Sequence, residues 1–518
     1  MREFGDFQTP PALVDAVLKA IYRDSIPWTR ALEPTCGVGN FIVGLRSRPV
    51  PPMEIKGIEI QPRHVDELKV RESAQGLSDI VFIKGDVFQM NLAELRWSNS
   101  GRLLVVGNPP WVTNSELGSL GSRNLPSKSN FKGSEGFAAK TGDANFDIAE
   151  FIWIKLIKEL AWAKPTIALL CKTSVARNVL SYCHRANLPI SAPQIFLIDA
   201  KKWFGAAVDA CLFRVDVGSE ESDFSALTFS DLEAEFPQGR LGIANGALVS
   251  DQQTYDRLSF LDGESPVIWR QGLKHDAAAV MELTIESGTP KNRLGQVVDV
   301  EAEYLFPLLK SSDLNGSNNP IPRYRVVVTQ KQLGEDTTRL RISAPKLFAY
   351  LCSHQAAFDA RKSSIYVGRP PFSIFGIGDY SFKPYKVAVS GLYKTISFRV
   401  VGPSDCLPAM FDDTCYFVPC DSAVQAAAIA TLLNHPNTLG FINSIVFSDS
   451  KRPVTKKMLQ RVDLNAAMES FPRDELIGSF CENMRSLGEA PVTEDPFGEL
   501  RWPNSVDEQQ ALFPLVEV

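Results

Sequence analysis

The sequence predicts an α/β protein, a mainly parallel sheet with helices on both faces, followed by a second domain of mixed α/β character. Three observations predict it. Up to about residue 216, short apolar runs alternate with amphipathic stretches, the pattern of strands joined by crossover helices. The first such run leads into a glycine-rich turn, LEPTCGVGNF at residues 32–41, where a parallel strand hands over to a helix. Beyond about residue 240 the alternation gives way to an irregular texture richer in proline, aromatic and β-branched residues.

Taken in order, the expected strands are 30–33, 55–60, 80–84, 103–107, 166–171, 194–198 and 210–215, with helices such as 11–22 and 147–163 between them. At 518 residues the chain exceeds what one core supports. The polar stretch GSEESDF, residues 218–224, reads as a loop near a boundary. The expected domains are residues 1–235, residues 236–480 and an acidic tail, 481–518. Residues 112–145 form a connection rich in Ser, Gly, Asn and Lys. A connection of that length inside a compact domain is usually functional or disordered. It carries Arg123, Lys128, Lys132 and Lys140, so it is expected to close over a polyanionic substrate, with Lys128 and Lys132 among the contacts.

An apolar fraction of 44% and a charged fraction of 22% are those of a soluble globular protein. No apolar run approaches the length of a membrane span, and MREFGDFQTP lacks the apolar core of a secretory signal. A cytoplasmic location without a membrane partner is therefore expected. The nine cysteines contain no Cys-x-x-Cys pair, which argues for reduced thiols and against a zinc site; no metal is expected. The net charge of −6 argues at first against nucleic acid. Residues 469–518, however, hold 11 acids and 3 bases, a net of −8, and −6 less −8 leaves the rest at +2. Within it, Arg361 to Val400 carries seven basic residues against one acid, Asp379.

The glycines after the first strand let backbone approach a ligand, and the following helix offers free N–H groups. The dinucleotide fingerprint fails, because Ile42 stands where its third glycine belongs. Glu59 ends the next apolar run, IKGIEI, where a carboxylate can accept both ribose hydroxyls. Asp86 ends the third, VFIKGDVF, placed to accept from an adenine amino group while Val87 and Phe88 flank the ring. No Gly-Lys-Ser/Thr phosphate loop occurs. The implied ligand is an adenosine with a charged appendage and no triphosphate. The fourth run ends in GNPPW, residues 107–111, whose two prolines fix an extended, rigid turn.

GDFQTP at 5–10, LEPTCGVGNF at 32–41, GIEI at 57–60, GDVF at 85–88 and NPPW at 108–111 together resemble the γ-class DNA amino-methyltransferases. The resemblance implies a class I methyltransferase fold with a C-terminal target recognition domain. It implies an S-adenosylmethionine site of Phe7, Thr9, Glu33, Thr35, Cys36, Gly37, Glu59, Ile60, Asp86 and Val87. It implies transfer to adenine N6. There Asn108 and the Pro109 carbonyl accept the two amine hydrogens, Pro109 and Pro110 fix the geometry beforehand, and Trp111 stacks on a base flipped from duplex DNA. KKWFGAAVDACLF, residues 201–213, resembles the motif supplying a second aromatic wall, and Phe204 is the matching position. Asn145, Phe146 and Asp147 resemble the motif that opens the helix after the long connection.

In the second domain, basic and aromatic residues interleave from Tyr366 to Phe398, and Lys383, Lys386 and Lys394 are the expected DNA contacts. Segments around Lys274, His275 and Lys310 resemble parts of similar recognition domains, with His275 read as structural. No nuclease site is read in the sequence, so any partner endonuclease is expected to be a separate chain, and the protein is expected to be a monomer. Two rival readings remain: the same tetrapeptide acting on RNA or a protein glutamine, and a non-catalytic DNA-binding module.

Overall fold

The computed structural model describes residues 8–24, 27–75, 80–112, 147–316, 320–447, 449–450, 452–490, 495–498, 500 and 502–503. The chain divides into two compact units, Met1–Gln253 and Thr254–Val518.

In the first unit seven strands build the core of one sheet. They are β1 (Arg30–Glu33), β2 (Glu54–Glu59), β3 (Ile80–Lys84), β4 (Leu103–Gly107), β5 (Thr166–Lys172), β6 (Ile190–Ile198) and β7 (Ala210–Val217). Their spatial order is β3-β2-β1-β4-β5-β7-β6. From β3 to β5 every pairing is parallel, whereas β7 lies antiparallel between β5 and β6. β4 (LLVVG) and β5 (TIALLCK) are apolar along nearly their whole length, as strands covered on both faces must be. All seven expected strands are present, with ends shifted by up to four residues.

The covering helices include α1 (Pro11–Ile21), α2 (Asn40–Arg46), α3 (Pro62–Gln75), α4 (Ile148–Leu160), α5 (Thr173–Arg185) and α6 (Ala200–Phe204). α1 opens on a proline, whose missing N–H is needed by no helical hydrogen bond there. It buries Leu13, Val14, Val17, Leu18 and Ile21, the stripe of a helix lying on a core. α2 meets α1 so closely that a Cβ at Gly44 would sit 2.6 Å from a Val14 methyl.

Three further strands, β8 (Ala226–Phe229), β9 (Gly239–Ala244) and β10 (Ala247–Val249), extend the sheet beyond β6. β9 and β10 form a hairpin through Asn245-Gly246, both at positive φ, the turn chemistry that a two-residue hairpin requires. The division between units therefore falls at 253 and not at 235, and GSEESDF is a turn inside the first unit.

The second unit holds two small sheets. One has the order β11-β19-β16-β17, the other β13-β12-β15-β14-β18. Their strands are β11 (Arg270–Gln271), β12 (Glu282–Glu286), β13 (Thr289–Asn292), β14 (Leu305–Leu309), β15 (Tyr324–Val327), β16 (Tyr385–Ser390), β17 (Arg399–Val401), β18 (Met410–Phe411) and β19 (Cys415–Cys420). α7 (Ala423–Asn434) is buried on almost every face and packs against α8 (Arg473–Ser486). Leu476, Phe480 and Met484 of α8 point into that contact, and Phe497 covers Phe480. Residue 481 thus lies inside a packed helix, and the acidic tail does not begin there.

The expected role of Lys386 is overturned. It is 1% exposed, at the second position of β16, the strand between β17 and β19, which is buried from Lys386 to Ser390. Its Nζ donates to the Lys383 carbonyl at 2.8 Å, and burial lowers its pKa to about 7. Lys383 is half-buried and paired with Asp421, while Lys394 is exposed. His275 is buried, and with Lys310 and Arg293 it surrounds the buried Glu282 carboxylate. Burial raises the pKa of Glu282, but hydrogen bonds from His275 and Lys310 outweigh it and hold the group at about 2.

Candidate active site

The carboxyl ends of β1, β2, β3 and β4 share one edge of the sheet, and the strand order reverses between β1 and β4. Such a switch point leaves a crevice where ligands of open α/β sheets bind. Here it is a cleft lined from all four strand ends, by Glu33, Glu59, Asp86 and Asn108 among others.

The turn after β1 forms one wall. Gly37 and Gly39 both have positive φ, and the Cys36 N–H donates to the Ile58 carbonyl at 2.9 Å, fastening the turn to β2. Gln8 accepts from the Val38 N–H at 3.3 Å, and the Asn40 side chain donates to the Thr9 carbonyl at 2.9 Å. The segment before α1 is thereby fixed over the turn. Ile42, fully buried, fills the place of the missing third glycine. The close approach has moved to the neighbouring strand, where a Cβ at Gly57 would lie 2.7 Å from Ile42.

Glu59, 7% exposed, accepts from the backbone N–H of Gly37 at 2.8 Å and of Gln61 at 2.7 Å. Asp86 accepts from the Phe88 N–H at 2.9 Å, and Phe88 packs edge-on against Phe151 of α4. Glu33 is 3% exposed, and its Oε2 and the Thr35 hydroxyl are buried with no hydrogen-bond partner. Burial pushes the Glu33 carboxyl well above the ordinary carboxylate range, and Glu59 adds to the shift; burial likewise pushes the Cys36 thiol up.

Asn108 and Pro110 line the same cleft. Trp111, 9% exposed, donates from Nε1 to the Leu170 carbonyl of β5 at 3.4 Å and meets the ring of Phe204 edge-to-face. The Ile148 N–H donates to the Val112 carbonyl at 3.0 Å, so the ends of the long connection are clasped together. Asp147 caps α4 through the Ala149 N–H at 3.0 Å and accepts from Lys172 Nζ at 2.8 Å.

Of the residues expected from sequence, the structure brings Thr9, Glu33, Thr35, Cys36, Gly37, Glu59, Ile60, Asp86, Val87, Asn108 and Pro110 to one cleft, with Trp111 and Phe204 in ring contact. Phe7, Lys128, Lys132, Asn145 and Phe146 lie outside the described residues. Sequence reasoning missed Gln8 and Asn40, which lie in quoted motifs without an obvious chemistry. It also missed Lys172, whose signal was a cation ending an otherwise apolar strand. Among the described residues no group of three His, Cys, Asp or Glu could hold a metal, and no helix is long and apolar enough to cross a membrane.

The sheet order, the β1 turn and the acids ending β2 and β3 define a class I S-adenosylmethionine-dependent methyltransferase fold. No family model matches the sequence. The chain is 39% identical over 464 residues to the Type II methyltransferase M.NspV of Nostoc sp., covering 89% of this chain and 96% of that protein. Among solved structures, that of the Type IIL restriction-modification enzyme MmeI in complex with DNA superposes with a TM-score of 0.51 at 13% identity, over 95% of this chain and 73% of that one. The chain belongs to the Type II methyltransferases, and its methyl donor is S-adenosylmethionine. The cleft fits that donor: among the described residues, three carboxyl groups and no Lys, Arg or His line it, as a ligand with a positive sulfonium and a nucleoside requires.

Proposed function

We propose that the protein is a site-specific DNA methyltransferase that modifies adenine N6 in a base flipped out of the duplex, as the protective partner of a separate restriction endonuclease. The observation that carries this reading is Asn108, set in the donor cleft by a rigid Asn-Pro-Pro turn directly after β4. An exocyclic adenine amine is a poor nucleophile because its lone pair is delocalised into the ring. An Asn108 side-chain oxygen and a Pro109 carbonyl accepting its two hydrogens favour a tetrahedral nitrogen with the lone pair free, and a pre-set turn costs no reorganisation. Trp111 and Phe204 supply the aromatic surfaces for the flipped base. The donor supplies the electrophilic methyl group. For the donor, Glu59 is the acceptor for ribose hydroxyls, Asp86 for the adenine amino group, and Val87 and Ile60 flank that ring. Thr9, Thr35, Cys36 and Gly37 form the wall along its amino-acid part, and Phe7 belongs to the same segment as Thr9.

The second unit, residues 254–518, is the target recognition domain in this reading. Lys394 and the outer side of Lys383 are its candidate phosphate contacts, with Lys128 and Lys132 contributing from the long connection. The test is to incubate the protein with labelled donor and plasmid DNA, digest to nucleosides and identify the labelled product. N6-methyladenine is expected. N4-methylcytosine, or label appearing only in RNA or protein, overturns the reading.

A further inference from the structure

The three carboxyl groups of the donor cleft are not equivalent. Glu59 receives two backbone N–H groups and Asp86 one. Glu33 sits 3% exposed with Oε2 unpartnered. It lies at the transfer end of the cleft: a Cβ on Gly107, the residue before Asn108, would be 3.3 Å from Glu33 Cγ. Burial and the neighbouring Glu59 of β2 act to raise its pKa, against a backbone hydrogen bond from Ile42 of α2 that lowers it, and among the described residues no Lys, Arg or His lines the cleft. A lone ionised carboxylate in such surroundings is strongly disfavoured. Burial therefore favours the protonated form of Glu33.

S-adenosylmethionine carries a sulfonium charge that S-adenosylhomocysteine, the product left after transfer, lacks. We propose that Glu33 distinguishes donor from spent product by exchanging its proton for that charge. When the donor enters, the Glu33 O–H bond breaks, the proton passes to solvent, and the carboxylate faces the sulfonium. When the methyl group has gone to the target nitrogen, the bond electrons stay on sulfur as a neutral thioether. A proton then returns to Glu33. The same cleft thus prefers the donor while it is charged and loosens on the product. Donor affinity rises with pH until Glu33 is already ionised in the free protein, and product affinity does not follow it.

The inference rests on the donor assignment and not on the identity of the target base. The test is calorimetric titration of the full-length protein with donor and with product, each in two buffers of different ionisation enthalpy, over a range of pH. Donor binding is expected to release more protons than product binding, the difference approaching about one per site at the acid end. In Glu33→Gln the difference is expected to vanish and the donor-over-product preference to fall roughly tenfold. Equal proton release for donor and product in the wild-type protein would overturn the inference, and that measurement needs no variant to fold. Donor binding with no proton difference defeats only the role of Glu33, whereas no donor binding at all defeats the cofactor site itself.

Discussion

The rings of Trp111 and Phe204 meet edge-to-face, with centroids 5.1 Å apart and planes inclined by 72°. One ring follows β4 and the other ends α6, so the proposed wall of the target pocket would come from two separate crossings of the sheet edge. Trp111 is held by its bond to Leu170, whereas Phe204 is half-exposed at a helix end. Phe204→Ala is expected to lower kcat/KM on duplex DNA by about one to two decades, since stacking on a base contributes about 1–3 kcal/mol. Donor affinity, measured by calorimetry, should be unchanged. A variant with wild-type kcat/KM would remove Phe204 from the target pocket.

Asn108→Ala is expected to separate donor binding from the chemical step. Loss of one pre-organised polar contact to the reacting group costs on the order of 10²–10³ in rate. Single-turnover transfer should fall by that factor while the donor still binds. Retained turnover would sink the assignment.

Glu59→Ala should raise the donor dissociation constant roughly ten- to a hundredfold, from losing about 1.5–3 kcal/mol of hydrogen bonding. Unlike the Asn108 variant, it should also lower Tm without ligand, because the Gly37 and Gln61 N–H groups lose their acceptor. A thermal melt matching wild type would mean those two bonds are not made in solution.

Asp147 performs two tasks that a single substitution can divide. Asn at 147 still accepts from the Ala149 N–H and so preserves the α4 cap, but it breaks the ion pair with Lys172. Asp147→Asn and Lys172→Met should each slow transfer, and the double variant should be little worse than either. The expected coupling is about 0.5–3 kcal/mol, as for residues in direct contact. Strictly additive losses would show that the two act independently.

Lys386→Met is expected to stabilise the protein. The wild-type lysine has a folded pKa depressed by burial to about 7, below the unfolded value, so over the interval up to about 10 the unfolded chain binds more protons. Stability should therefore rise as pH increases from about 7 toward 10 and lie flat below that interval. The variant should lose this slope in denaturant titrations at several pH values. If its slope equals that of wild type, Lys386 is not neutral in the fold.

Much of the first unit was legible because its information is local. Runs such as LLVVG and TIALLCK can only be doubly covered strands, and the residues ending them define the ligand edge. The sheet extension β8–β10 was missed because three-to-six-residue strands with mixed polarity carry little periodic signal, although Asn245-Gly246 marked the hairpin. Ile42 looked like a defect in a glycine fingerprint, and only the approach of Gly57 explains why an isoleucine belongs there. Lys386 failed for a related reason: in sequence a lysine beside aromatics reads as a solvent-facing cation, and nothing local reveals that β17 and β19 enclose it.

The antiparallel insertion of β7 has a consequence for how the polypeptide is made. Because β7 pairs with both β5 and β6, those two strands have no direct partner in each other when they leave the ribosome. Until residues 210–217 emerge, each presents an unpaired apolar edge, the kind that invites association between chains. A transcript truncated just short of β7 should therefore yield aggregate, whereas one ending after β10 should yield a soluble first unit.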